Sequence, residues 1–333
     1  MSSEYADYWN SLVVRNLEGR PVRKVTFDEA LAQHPLKNPH TLDRDIRRAW
    51  AKLSDKEPDP RFRAKKPISD SRDIKWHKGS LSLNARDVTS YVILFDMHYP
   101  YQVHQDAIMA FLKDFQPDKL IYGGDTLNND PFNHWAENTP RESRNMPLPR
   151  PYYDDANRDL FHPFARALKA HTETVFMKGN HEAWADRAID DDPRGEGFWE
   201  TELNIGGVDT WVQSRELISL GKLHVAHGDI IQGANINPAR NIFLKGFHRN
   251  IIMGHLHTYN VATEVNPVDV EDRHVAIYAP CLTEFNPDFM RQRPHQWVQG
   301  FVYGFVEPNG TFHNTIVLIT DGRFVANGKL YGR

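Results

Sequence analysis

The 333-residue sequence holds one cysteine, Cys281. That excludes an intramolecular disulfide framework and any cysteine-based zinc cluster, so metal or acid/base chemistry has to draw on His, Asp, Asn and Glu. No stretch approaches the ~18 uninterrupted apolar residues of a membrane helix, and the opening MSSEYADYWNSL lacks the basic and apolar regions of a signal peptide. The expectation is a cytoplasmic protein with no membrane partner. Internal repeats and low-complexity tracts are missing as well. What is present is a globular composition, 40% hydrophobic and 25% charged, and 17 histidines that make metal chemistry worth pursuing.

Charge is uneven along the chain. Residues 1–86 carry 18 Lys+Arg against 12 Asp+Glu, a net +6, and the remainder a net −10. The excess lies between Arg44 and Lys78, where a helical pattern (Leu42, Ile46, Ala49, Trp50, Leu53) runs into a breaker-rich stretch around Pro58 and Pro60. Residues 1–86 are therefore expected to form a basic, partly helical N-terminal segment and linker. Arg47, Arg48, Arg61, Arg63, Lys65 and Lys66 could neutralise the phosphates of a nucleic acid; the plainer reading is a solvated face and tether.

From residue 87 to 333 the pattern is that of an α/β domain. Apolar runs predict strands at Val92–Phe95, Leu120–Tyr122, Thr174–Met177, Leu223–Ala226, Ile251–Met253 and Val275–Tyr278. Val103, Ala107, Ile108, Phe111, Leu112 and Phe115 mark one helix face, and Leu160, Phe164 and Leu168 a second. Residues 131–155, with five prolines, Trp135, Tyr152 and Tyr153, read as a long loop or cap.

Each of the first five strands runs into a polar cluster: Asp96-Met97-His98, then Gly123-Gly124-Asp125-Thr126-Leu127-Asn128, Gly179-Asn180-His181-Glu182, His227-Gly228-Asp229 and Gly254-His255-Leu256-His257. Functional groups of open α/β sheets gather outside the carboxyl ends of strands, so distant clusters can converge. Imidazole, carboxylate and amide oxygen together suit divalent Mn, Fe, Ni or Zn, and a carboxylate between two ions can bridge them. Any one cluster alone is an ordinary turn; Gly179–Glu182, for instance, reads equally as a strand-to-helix turn with Asn180 capping. The ordered set of five is what points to a metal site. Cys281 is expected to be a small buried residue, and His104, His134, His162, His171, His274 and His313 have no ligand-like spacing.

The series D-x-H, G-D-x-x-N, G-N-H-E, H-G-D and G-H-x-H, in this order, resembles the calcineurin-like metallophosphoesterase superfamily. Pro280-Cys281-Leu282 and Trp297-Val298-Gln299-Gly300-Phe301 look like its phage and prophage members. The resemblance implies a sandwich of two mixed β-sheets flanked by helices, with a small helical N-terminal appendage outside it. It implies two divalent ions, manganese first and Fe, Ni or Zn as alternatives: one held by Asp96, His98 and His257, the other by Asn180, His227 and His255, with Asp125 bridging. A metal-bridging hydroxide would attack phosphorus while His181, the catalytic histidine, protonates the leaving group. Asn128, Asn180 and His181 would contact the phosphate, and Glu182 and Asp229 would orient neighbouring histidines.

Substrate class is narrower. The arginines that Ser/Thr protein phosphatases carry beside the bridging aspartate and before N-H-E are replaced here by Thr126-Leu127-Asn128-Asn129 and Lys178-Gly179. Superfamily nucleases share D-x-H, G-G-D, G-N-H and G-H-x-H, although they have Asp where Glu182 stands. The expectation is a phosphodiesterase acting on nucleic acid or nucleotides. Alternatives are a phosphomonoesterase (nucleotidase or protein phosphatase) and a non-catalytic scaffold of the same fold. The strands after His257 are expected to complete the second sheet. If the chain is phage-encoded, its compartment is the host cytoplasm.

Overall fold

The computed structural model describes residues 75–133, 147–189, 208–229, 237–287, 290 and 295–332. The expected helix at 42–53, the basic side chains up to Lys66, Trp135 and His134 lie outside these. Strand β1 (Lys75–Ser80) is followed by β2 (Thr89–Leu94), helix α1 (Gln105–Phe115), β3 (Lys119–Tyr122) and α2 (Pro149–Ala156). The last continues through a π-helical turn, Asn157–Phe161, into α3 (His162–Ala167). Then come β4 (Glu173–Met177), α4 (Glu182–Ile189), β5 (Thr210–Val212), β6 (Glu216–Leu220), β7 (Leu223–Ala226), α5 (Pro238–Leu244) and β8 (Asn250–Met253). The chain goes on with β9 (Asn260–Val265), β10 (Arg273–Tyr278), β11 (Gly300–Val306), β12 (Phe312–Leu318), β13 (Phe324–Ala326) and β14 (Lys329–Tyr331). No helix among the described residues is long and apolar enough to cross a membrane.

Two six-stranded mixed sheets result, in the orders β12-β11-β2-β3-β4-β5 and β1-β6-β7-β8-β10-β9. In the first, β2, β3, β4 and β5 run parallel, and β11 pairs antiparallel with both β2 and β12. In the second, β7, β8 and β10 run parallel. Alternation along β2 explains the layering: Tyr91, Ile93 and Phe95 face the second sheet, whereas Val92 and Leu94 face the helices. Between the sheets, Ile93, Ile121, Val175 and Met177 meet Ile218, Val225, Ile252 and Ile277. On the outer side of the first sheet, Ile108, Phe111 and Leu112 of α1 pack with Leu160, Phe161 and Phe164 against Leu120, Tyr122 and Phe176. On the outer side of the second, α5 buries Ala239, Ile242 and Phe243 over Ile251, Met253 and Tyr278. Each such fully buried side chain contributes about 1.5–3 kcal/mol, which fixes the strand ends in space.

Three expectations need correction. Residues 75–80 are not linker: β1 pairs in parallel with β6 through Lys75↔Glu216 and Trp76↔Leu217. Its Lys-Trp-His-Lys-Gly-Ser sequence has no apolar alternation, and only pairing along the edge of an existing sheet makes it a strand. Residues 149–156 are not loop: Pro149 and Pro151 sit in the first turn of α2, where a missing N–H costs little, and Tyr152 and Tyr153 are buried beneath it. The chain beyond His257 serves both sheets, β9 and β10 the second and β11 and β12 the first. Cys281 is a free thiol, fully buried, and burial pushes its pKa up.

Candidate metal centre

The five polar clusters meet where the carboxyl ends of β2, β3 and β4 approach those of β7 and β8. Asp96, His98, Asp125, His255 and His257 all have positive φ, between 48° and 73°. For residues with a Cβ, such backbone costs about 1–3 kcal/mol each and persists only where the surroundings over-determine it. Here the surroundings are one another. Asp96 Oδ2 accepts the His255 N–H at 2.8 Å, and Asp125 Oδ1 accepts the His181 N–H at 2.8 Å. Each aspartate thus has one oxygen tied to the backbone of another cluster and one oxygen left for the centre.

The imidazoles follow the same plan. His98 Nδ1 lies 3.2 Å from Asn128 Oδ1, and its Nε2 lies 3.1 Å from His257 Nε2. His227 Nδ1 lies 3.3 Å from the Gly123 carbonyl, and its Nε2 lies 3.0 Å from Asp125 Oδ2 and 3.1 Å from Asn180 Oδ1. His257 Nε2 is 3.4 Å from Asp96 Oδ1. His181 donates Nδ1–H to the Asn128 carbonyl at 2.8 Å, since a carbonyl can only accept, so its Nε2 faces Asp125 Oδ2 at 3.9 Å. Its ring packs on Trp184, centroids 4.0 Å apart.

Ligand atoms of three groups lie within 4.8 Å of one another: Asp96, His98 and His257; Asp125, His227 and His255; and His98, Asp125 and His181. Asp125 is common to the last two. The residues fit a divalent metal on a further observation: Asp96 Oδ1 is buried and accepts no hydrogen bond, an arrangement that leaves a carboxylate oxygen for a cation.

Electrostatics follow from this crowding. Burial works against the charge on Asp125, but His227 and His181 outweigh it and hold its carboxyl well below the ordinary range. Burial also opposes a charged His227, yet the Asp125 and Asp96 carboxylates raise it to about 10. Asp96 is lowered, His257 and His227 prevailing over burial. His98 is held well below its usual value by burial and by His181 and His257, and His255 is lowered by burial and by His227. Neutral imidazoles are the form that ligates metal.

Three further residues surround the cluster. Asn128 is buried with its amide engaged, Oδ1 at His98 and Nδ2 on Asp130 at 2.6 Å. Glu182 orients backbone and not histidine. Fully buried, it accepts N–H groups of Asp125 at 3.0 Å, Leu127 at 3.0 Å and Gly179 at 2.8 Å, clamping two clusters together. Burial and the Asp125 carboxylate push Glu182 up to about 7. Asp229 Oδ1 is buried without a hydrogen-bond partner and acts on His227 and His255 through its field alone.

Sequence reasoning missed Asn129, at φ 61° and fully buried. Its Nδ2 holds the His181 carbonyl at 2.9 Å, its Oδ1 accepts from Tyr153 Oη at 2.6 Å, and its N–H donates to Tyr152 Oη at 3.0 Å. Tyr152 Oη in turn donates to the Tyr99 carbonyl at 2.6 Å. The tyrosines of α2 therefore anchor the backbone of His181, and no local signal in the sequence linked them. Two glycines are dictated by close approach: a Cβ on Gly179 would fall on the Asp125 carboxylate, and one on Gly254 would stand 2.5 Å from Asp96 Oδ2.

Two mixed sheets flanked by helices, with His and Asp clusters at the strand ends, agree with the architecture that the motif resemblance implies. No protein-family model matches the chain, and neither does any curated protein sequence. Among solved structures, a single mutant of Vps29 from Entamoeba histolytica is similar at 15% identity and a TM-score of 0.34, over 73% of this chain and 96% of that one. Wild-type Vps29 of the same organism, complexed with zinc, is similar at 12% identity and 0.34, over 73% and 96%. A Streptococcus pneumoniae protein described as a predicted phosphoesterase is similar at 9% identity and 0.26, over 69% and 98%.

Proposed function

We propose that this chain is a dinuclear metal-dependent phosphoester hydrolase whose leading substrate class is a phosphodiester of nucleotides or nucleic acid. The observation that carries the reading is Asp125 Oδ2, with His227 on one side and His98 and His181 on the other, each within 4.0 Å. Asp96, His98 and His257 would hold one divalent ion and Asn180, His227 and His255 the other, with Asp125 between them. Ions bound there supply Lewis-acid charge stabilisation and make a water acidic enough to lose its proton near neutral pH.

The chain's own residues supply the rest. Hydrolysis joins a water oxygen to phosphorus, breaks one ester P–O bond and releases an alcohol that must gain a proton. That role falls to His181 in this reading. The Asn128 carbonyl fixes the Nδ1–H tautomer, so Nε2 is the atom that carries and delivers the second proton. Asn129 holds the His181 carbonyl, and Trp184 supports the ring face. Glu182 keeps the Asp125 and Gly179 turns in register.

Hydrolysis of bis-p-nitrophenyl phosphate and p-nitrophenyl phosphate tests the reading, with manganese, nickel, zinc or a chelator. The expected result is chelator-sensitive cleavage of the diester that falls at least ~100-fold in His181→Ala. Preference for the monoester would move the substrate to a phosphomonoester. Metal binding without turnover of any phosphoester would replace the enzyme reading with a non-catalytic scaffold.

A further inference from the structure

A row of aromatic rings leads away from the metal centre on the His257 side. His257 meets Trp297 edge-on with centroids 4.3 Å apart; Trp297 meets His295 at 4.6 Å and an interplanar angle of 33°; His295 stacks on Phe285 at 5.9 Å and 28°. Two anchors fix the row. The Val298 N–H donates to the His257 carbonyl at 2.8 Å, and the Trp297 N–H donates to His295 Nδ1 at 3.2 Å.

These rings stand apart from the three apolar clusters of the described residues. Neither Trp297 nor Phe285 belongs to any of the three apolar clusters that hold the sheets and helices together. Phe285 is 42% exposed, and Trp297 and His295 are half-buried. A row of rings beside a centre that would hold phosphate, exposed at its Phe285 end, offers a surface for a planar group joined to that phosphate. Aliphatic phosphoesters have no such group. Nucleobases do, and because every base has a π-face, stacking of this kind tolerates sequence variation.

We infer that Phe285, His295 and Trp297 form a stacking shelf for a nucleobase of the substrate, on the arm of the phosphodiester that runs past His257. The inference rests on the proposed hydrolase reading of the neighbouring centre and adds to it the residues that would contact the base. Three rings set the reach of the shelf, so recognition is by ring and not by the hydrogen-bonding edge of one particular base.

The test compares thymidine 5′-(p-nitrophenyl phosphate) with its analogue bearing hydrogen in place of the base, using the manganese-loaded full chain. Leaving group and sugar are identical, so the ratio of the two kcat/KM values reports the ring alone. A ratio of roughly 10 or more is expected in the wild type, with a fall toward one in Phe285→Ala and in Trp297→Leu. A wild-type ratio within about twofold of one, or a ratio unchanged in both variants, overturns the shelf. Binding of thymidine 5′-monophosphate and its base-free analogue is measured in parallel by calorimetry. If neither ester is cleaved, the hydrolase reading fails, and the shelf is decided separately: base-dependent affinity lost in Phe285→Ala supports it, and equal affinity for the two ligands overturns it.

Discussion

Replacing Tyr153 with phenylalanine removes one hydroxyl and nothing else from the wall behind His181. That hydroxyl donates at 2.6 Å to Asn129 Oδ1, and Asn129 is fully buried, so water cannot take its place. A buried acceptor deprived of its donor costs about 1–3 kcal/mol. With a urea m-value of about 3 kcal/mol per molar, the unfolding midpoint of Tyr153→Phe should drop by roughly 0.3–1 M at unchanged m. The same loss frees the Asn129 amide to turn away from the His181 carbonyl, which it now holds at 2.9 Å, so kcat should fall several-fold with little change in KM. A double-mutant cycle isolates the link. Once Asn129→Ala has removed the acceptor, adding Tyr153→Phe should be nearly neutral, giving a coupling of about 1 kcal/mol or more. Strictly additive losses, or a midpoint and kcat in Tyr153→Phe indistinguishable from wild type, would refute the proposed chain from α2 to His181.

Asn128→Ala removes the acceptor of His98 Nδ1–H, and loss of such a supporting partner should weaken metal binding by roughly 10–100-fold, read by metal content after dialysis at graded manganese. Gly179→Ala places a methyl group on the Asp125 carboxylate; overpacking of about 1–3 kcal/mol is expected in urea unfolding, together with reduced metal loading. Burial, reinforced by Arg249, lowers His224 from 6.5 to about 4. The unfolded chain therefore binds a proton that the folded one refuses between these values. The stability contribution is intact above pH 6.5 and lost as pH falls toward 4, so His224→Gln should flatten the decline in unfolding midpoint across that window.

Strands β2, β3, β4, β7, β8 and β10 were legible because their residues are mainly apolar, as suits strands covered on both faces. Helix α1 was legible from its one apolar face. Strands β1 and β9 were not, since edge strands carry mixed residues and exist by pairing with a neighbour already in place. Helix α2 was hidden because prolines and tyrosines resemble a loop until the first turn and the buried side chains are seen together.

The sequence by itself determined which chemical groups stand at the strand ends and in what order, because the resemblance lies in short motifs whose spacing is local. It also decided what could not be present, a cysteine ligand set above all. Only the tertiary structure decided how those groups are used. Asn128 contacts His98; Glu182 clamps three backbone N–H groups; and Asn129, given no role from the sequence, ties α2 to His181. The aromatic row is of the same kind, since Trp297 meets His257 and Phe285 meets His295 only once folding has brought these distant positions together. Motifs record which donors and acceptors a site has, but a hydrogen bond between residues 24 or 159 positions apart, as for Asn129 with Tyr153 or Asp96 with His255, exists only once packing has brought them within 3 Å.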